Sequence, residues 1–123
     1  MKNDQPQLPV AINDCHQLLA WMLPQLDQFP RTRRFTLGEK LELLLMEVLE
    51  NLLEATYQKG NNKLQHLACA NRKLAVARHF WRLGFELKGC SFKSYNHGAE
   101  QMVMLGRQIG GWRKSTLGTS IHG

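Results

Sequence analysis

The stretch "ANRKLAVARHFWRLGFELKG", Ala70–Gly89, decides the fold. Apolar side chains recur through it every three or four residues, the spacing of one helix face, and no period-two alternation of strand length interrupts them. At 100° per residue the wheel puts Cys69, Val76, Phe80, Leu83 and Leu87 on the buried side, with Leu74, Ala77 and Trp81 flanking. The polar side is narrow: Asn71, Arg78 and Arg82 line up, Ala68 and Ala75 lie beside them, and Arg72 and His79 sit one step round. Gly89 is the expected stop.

Moving outward, "KGNN" at 59–62 is a short break, with Gly60 suited to a left-handed conformation and Asn62 with Gln65 as a helix start. So short a loop makes the helices on either side antiparallel neighbours. The preceding helix runs from Thr36, paired with Glu39 as a capping box, to about Lys59. Its core stripe is Leu37, Leu41, Leu44, Leu45, Val48, Leu52 and Ala55. A second apolar arc, Leu43, Met46, Leu49, Leu53 and Tyr57, is interleaved with Glu39, Glu42 and Glu50. An apolar face this wide calls for a second partner, most simply another copy of the chain.

Before it, Asp14 with Gln17 opens a first helix carrying Leu18, Leu19, Trp21 and Met22, which contains Pro24 and ends near Pro30. Arg31, Arg33 and Arg34 then form a basic loop. On the other side, Ser94 caps a fourth helix from Tyr95 to about Trp112, buried through Met102, Leu105, Ile109 and Trp112, with Gly98, Gly106 and Gly110 permitting close contact. The expected architecture is all-α: an antiparallel up-down four-helix bundle over 14–114, between a flexible leader (1–13) and a flexible tail (115–123).

The chain has 123 residues and is 43% hydrophobic, enough for one domain with a real core. Its charge is uneven. Residues 1–59 carry six basic and eight acidic side chains, residues 60–123 ten and two, so an anionic partner is expected to meet the second half. Neither a signal-peptide pattern nor an apolar run of membrane-spanning length is present, which points to the cytoplasm and away from a membrane. Cys15, Cys69 and Cys90 are unpaired in spacing, and His16, His66, His79, His97 and His122 are scattered singly, so no metal, cofactor or disulfide framework is expected. "GRQIGGWRKST", 106–116, lacks the end of a phosphate-binding loop and reads as a helix end with Arg113 and Lys114 as basic caps beside Trp112.

The chain can also be read as a purely structural RNA- or protein-binding bundle, in which the basic excess is incidental, and three readings of Arg78 and Arg82 stay open at this level. They are solvated or paired with the second helix's glutamates, they hold a small dianion inside an all-helical enzyme, or they belong to a surface that meets nucleic acid. Arginine suits the last because its planar fork takes phosphate bidentately, and the small alanines let a partner approach.

Three segments in order, "FPRTRRFTLGEKL" from Phe29, "ANRKLAVARHFWRL" from Ala70 and "LGRQIGGWRK" from Leu105, resemble the accessory variability determinant proteins of diversity-generating retroelements. That family lies within a wider group of small four-helix bundles that includes intervening-sequence proteins, where the purely structural bundle, tied to no retroelement, also finds a place. The resemblance spans about residues 14–114. It implies a barrel-like homopentamer without a catalytic centre, which associates with the element's reverse transcriptase and with template RNA or DNA and supports mutagenic cDNA synthesis and retrohoming. It carries the family's basic positions onto Arg78 and Arg82, and onto Arg31, Arg33 and Arg34. Arg107, Arg113 and Lys114 fall in the third segment, and Arg72 adjoins the helix-three set.

Overall fold

The computed structural model describes the backbone of residues 9–122 and the side chains of residues 9–119. Among them are four long helices and no strand: α1 (Val10–Asp27), α2 (Glu39–Thr56), α3 (Gly60–Glu86) and α4 (Phe92–His122). Each packs on two others, α1 on α2 and α4, α2 on α3, and α3 on α4, which closes a four-helix bundle. Direction is fixed by cross-contacts. Glu47 and Asn51 of α2 meet Lys73 and His66 of α3, and Trp81 and Leu74 of α3 lie against Gly98 and Gly106 of α4, so both pairs run antiparallel.

The core stripe of α2 is the expected one: Leu41, Leu44, Leu45, Val48, Leu52 and Ala55 are buried, with Leu37 just ahead of the helix. The same holds for α4, where Met102, Leu105 and Ile109 are buried and Trp112 is packed partly against the core. On α3 the stripe lies elsewhere. Leu67, Ala70, Leu74, Ala77, Trp81 and Gly84 are buried, whereas Val76, Leu83 and Leu87 are exposed and Cys69 and Phe80 lie between. A wheel weighted by large apolar residues misplaces the core here, because close helix approach selects Ala70, Ala77 and Gly84, set among Leu67, Leu74 and one much larger side chain.

That side chain is Trp81. It is fully buried, its indole N–H donates to the Tyr95 carbonyl at 2.9 Å, and it meets Trp21 edge-on at 6.1 Å and Phe29 in a stack at 6.3 Å. Gly98 makes room for it, since a Cβ there would stand 2.8 Å from the indole nitrogen. The other two α4 glycines do not play this part: at Gly106 a Cβ would make ordinary contact with Leu74 at 3.7 Å, and at Gly110 it would meet nothing within 4 Å.

The helix starts, and the end of α4, differ from the sequence expectation. Helix α1 begins at Val10 with Pro9 as its cap, and no Asp14 capping box forms. Ala11 and Ile12 continue the buried face of Cys15, Leu18 and Leu19, so residues expected in a loose leader belong to the core. Residues 1–8 lie outside the described residues. The basic loop is helical, an α-turn at Arg31–Arg33 followed by a π-helical turn at Arg34–Gly38. Thr36 caps nothing there; its hydroxyl donates back to the Thr32 carbonyl at 3.1 Å. Gly60 does take a left-handed φ of 56°, but Asn62 and Gln65 form no cap, because α3 starts at Gly60 itself. Ser91, not Ser94, starts α4: its hydroxyl accepts from the Ser94 amide at 3.1 Å. At the other end α4 runs on to His122, through the segment expected as a flexible tail.

Helix α3 stops before Gly89. The Gly89 amide donates to the Gly84 carbonyl and the Lys88 amide to that of Phe85, the two bonds of a Schellman motif, and the left-handed position is Lys88, with φ 65°.

Candidate nucleic-acid interface

Phe29 joins the basic segment to the bundle. It follows α1 directly, is buried, and occupies the space over Gly84 and Gly89, where added Cβ atoms would stand 2.9 and 3.1 Å from its ring. Pro30 then turns the chain, and its carbonyl accepts from the Arg33 and Arg34 amides at 2.8 and 2.9 Å. Arg31, Arg33 and Arg34 are thereby displayed in solvent beside the end of α3. Arg34 is engaged on both sides, in an ion pair with Asp27 at 2.9 Å and 5.6 Å over the Phe35 ring.

Arg78 and Arg82 are exposed on the flank of α3 that faces α4. Together with Ala75, His79, Tyr95, Ala99 and Val103 they line an open groove of about 330 Å³ that has no carboxylate in its lining. The small floor follows from sequence: Ala75 is one turn before His79 on α3, and Ala99 stands opposite on α4. Arg82 donates through Nε to Glu86 at 3.1 Å, while Arg78 has no carboxylate partner among the described residues. The α2 glutamates do not neutralise this set within the chain. The one α2–α3 ion pair among the described residues is Glu47 with Lys73 at 3.0 Å, and its hydrogen bond and charge raise the Lys73 pKa above its ordinary value. Nor do Arg78 and Arg82 point into the bundle, so the internal dianion site required by the all-helical enzyme reading is not formed by them.

The remaining basic residues do not converge on this groove. Arg72, Arg107, Arg113 and Lys114 are all exposed, and none lines it. Gly106, the neighbour of Arg107, faces α3 at Asn71, where an added Cβ would stand 3.9 Å from the side-chain oxygen. At the far end, Lys63 sits 6.0 Å over the Trp112 ring, in an open cleft with Lys59, Ser115 and Thr116. Sequence reading missed the second wall of the groove, Tyr95, Ala99 and Val103, which only helix pairing brings against α3. It also missed the anchoring role of Phe29, whose one visible signal is an aromatic residue immediately before Pro30.

The apolar arc of α2 is largely uncovered: Leu43, Met46, Leu53 and Tyr57 are exposed, Tyr57 by 80%, and Leu49 alone packs partly against the core. Leu43, Met46 and Phe35 also line a broad groove at the start of α2, together with Glu39, Lys40 and Glu42. Cys15, Cys69 and Cys90 are free thiols, and burial pushes the Cys15 pKa up to about 12. No described helix is long and apolar enough to cross a membrane.

No curated protein is matched by the chain. The family model described as bAvd-like matches residues 10–116, from the first turn of α1 into the extended end of α4, and contains all three motif segments. The chain belongs to the bAvd-like family.

Proposed function

We propose that this protein is a non-catalytic accessory subunit of a diversity-generating retroelement, which binds the element's reverse transcriptase and template RNA or DNA through its basic surface and supports mutagenic cDNA synthesis and retrohoming. The observation that carries this reading is the exposed Arg78–Arg82 pair over an alanine-floored groove without carboxylates, in a chain of the bAvd-like family. Guanidinium groups displayed over small residues hold phosphate oxygens in pairs while the backbone of a strand lies close to the helix. Arg31, Arg33 and Arg34 at one end, and Arg107, Arg113 and Lys114 toward the other, extend the positive field beyond the groove; Arg72 contributes from the neighbouring flank.

In this reading the protein works as a homo-oligomer, a ring-like pentamer in the cytoplasm. Two outer faces support self-association. That of α2 sets Leu43, Met46, Leu53 and Tyr57 among Glu39, Glu42 and Glu50, and that of α3 sets Val76, Leu83 and Leu87 among Arg72 and His79. Two unlike apolar faces suit the head-to-tail contacts from which closed rings are built.

Co-purification with the reverse transcriptase and cDNA synthesis from a template repeat test the reading together. Arg78→Ala with Arg82→Ala is expected to reduce both while leaving helicity and assembly intact. Full cDNA synthesis by that double variant would remove the arginines from the proposed role.

A further inference from the structure

We propose that Glu86 limits how tightly the α3–α4 groove holds a phosphate backbone, by competing for Arg82 from within the chain. The inference rests on the reading of Arg78 and Arg82 as phosphate-binding groups and adds a residue that works against them.

Glu86 is one of two acidic residues in the whole of 60–123, the other being Glu100, which accepts from the side-chain amide of Asn96 at 3.1 Å. Its Oε2 takes the Nε proton of Arg82 at 3.1 Å, so the guanidinium beside the groove is partly neutralised and one of its donors is occupied. Arg78, one turn earlier, has no carboxylate among the described residues. The two arginines are therefore unequal: one is free, and the other is shared.

A carboxylate so placed has two opposite possible effects. It orients Arg82 for a ligand, or it stands in for the ligand's own oxygen. Three observations favour competition. Both side chains are largely exposed, 65% and 52%, so the pair is too solvated to hold the guanidinium rigidly. The order is arginine before glutamate at i, i+4, the weaker of the two orders on a helix. Finally, Glu86 is the last residue of α3, where the carbonyl end of the helix dipole repels a carboxylate. A weak, exposed pair is given up readily when a phosphate arrives, and the contact of the phosphate with Arg82 is weakened by the pair it displaces.

The test is binding of a fluorescent single-stranded RNA at fixed salt by the full chain. Glu86→Gln is expected to bind about two- to fivefold more tightly than wild type, the range set by the worth of an exposed ion pair. The gain should shrink to that of a remote charge change when Arg82→Ala is already present. Glu54→Gln, which removes an exposed carboxylate from α2, supplies the remote value. Thermal melting checks that each variant is folded. An unchanged or weaker Glu86→Gln, or an equal gain in the Arg82→Ala background, overturns the competition. If Arg78→Ala with Arg82→Ala weakens binding while Glu86→Gln has no effect, this inference fails and the reading of the arginines stands. If the arginine variant binds as wild type does, both fail.

Discussion

Lys88 is the residue at which local preference and tertiary structure disagree most openly. It holds φ 65° in the Schellman turn that ends α3, a conformation in which a Cβ crowds the following carbonyl, at a cost of about 1–2 kcal/mol for a non-glycine residue. The neighbouring Gly89 cannot be exchanged for it, since a Cβ there would press on the Gly84 carbonyl at 3.0 Å and on the Phe29 ring. Lys88→Gly should therefore raise unfolding free energy by about 1 kcal/mol in a denaturant titration. No gain would mean that the turn is not strained. Gly98 makes the opposite prediction. Its missing side chain is filled by the Trp81 indole, so Gly98→Ala should destabilise by about 1–3 kcal/mol despite the better helix propensity of alanine. A stabilised variant would contradict the contact.

At the level of elements, Phe29 decides where the basic segment stands. Removing its ring from the space over Gly84 and Gly89 leaves a cavity beside Trp81, and Phe29→Ala should cost about 3–5 kcal/mol. Limited trypsin digestion should then cut faster after Arg31, Arg33 and Arg34, and an unchanged cutting rate would show that the segment holds itself. The sequence carried the number and order of helices plainly, because α2 and α4 each have a core stripe of the right period. It carried α3 badly. Val76, Leu83 and Leu87 made the stronger wheel, yet small residues around Trp81 form the contact, and a wheel contains no information about how close a neighbour comes. Capping boxes at Asp14, Thr36 and Asn62 likewise gave way, to burial of Ala11 and Ile12, to the π-helical turn and to the left-handed Gly60. The candidate site was half legible: Arg78, Arg82 and Ala75 share one helix and one spacing, but Ala99, Val103 and Tyr95 join them only through the packing of α4.

For the whole molecule, the same misfit has a use. In the proposed assembly, another copy covers the large apolar residues of α3 and α2 that the bundle leaves exposed. Leu43→Asp with Leu53→Asp should lower the mass in solution toward that of one chain without loss of helicity, read by light scattering and circular dichroism. Unchanged mass would move self-association to other faces. The proposed function rests on charge, on a folded, basic groove that meets a phosphate backbone. Its most direct test is the salt dependence of RNA binding by wild type and by Arg78→Ala with Arg82→Ala. Binding should fall steeply as salt rises, and the double variant should bind more weakly and lose about 1.4 from the log–log slope, at about 0.7 per phosphate on a single strand. Equal affinity and equal slope in the two proteins would mean that Arg78 and Arg82 meet no phosphate.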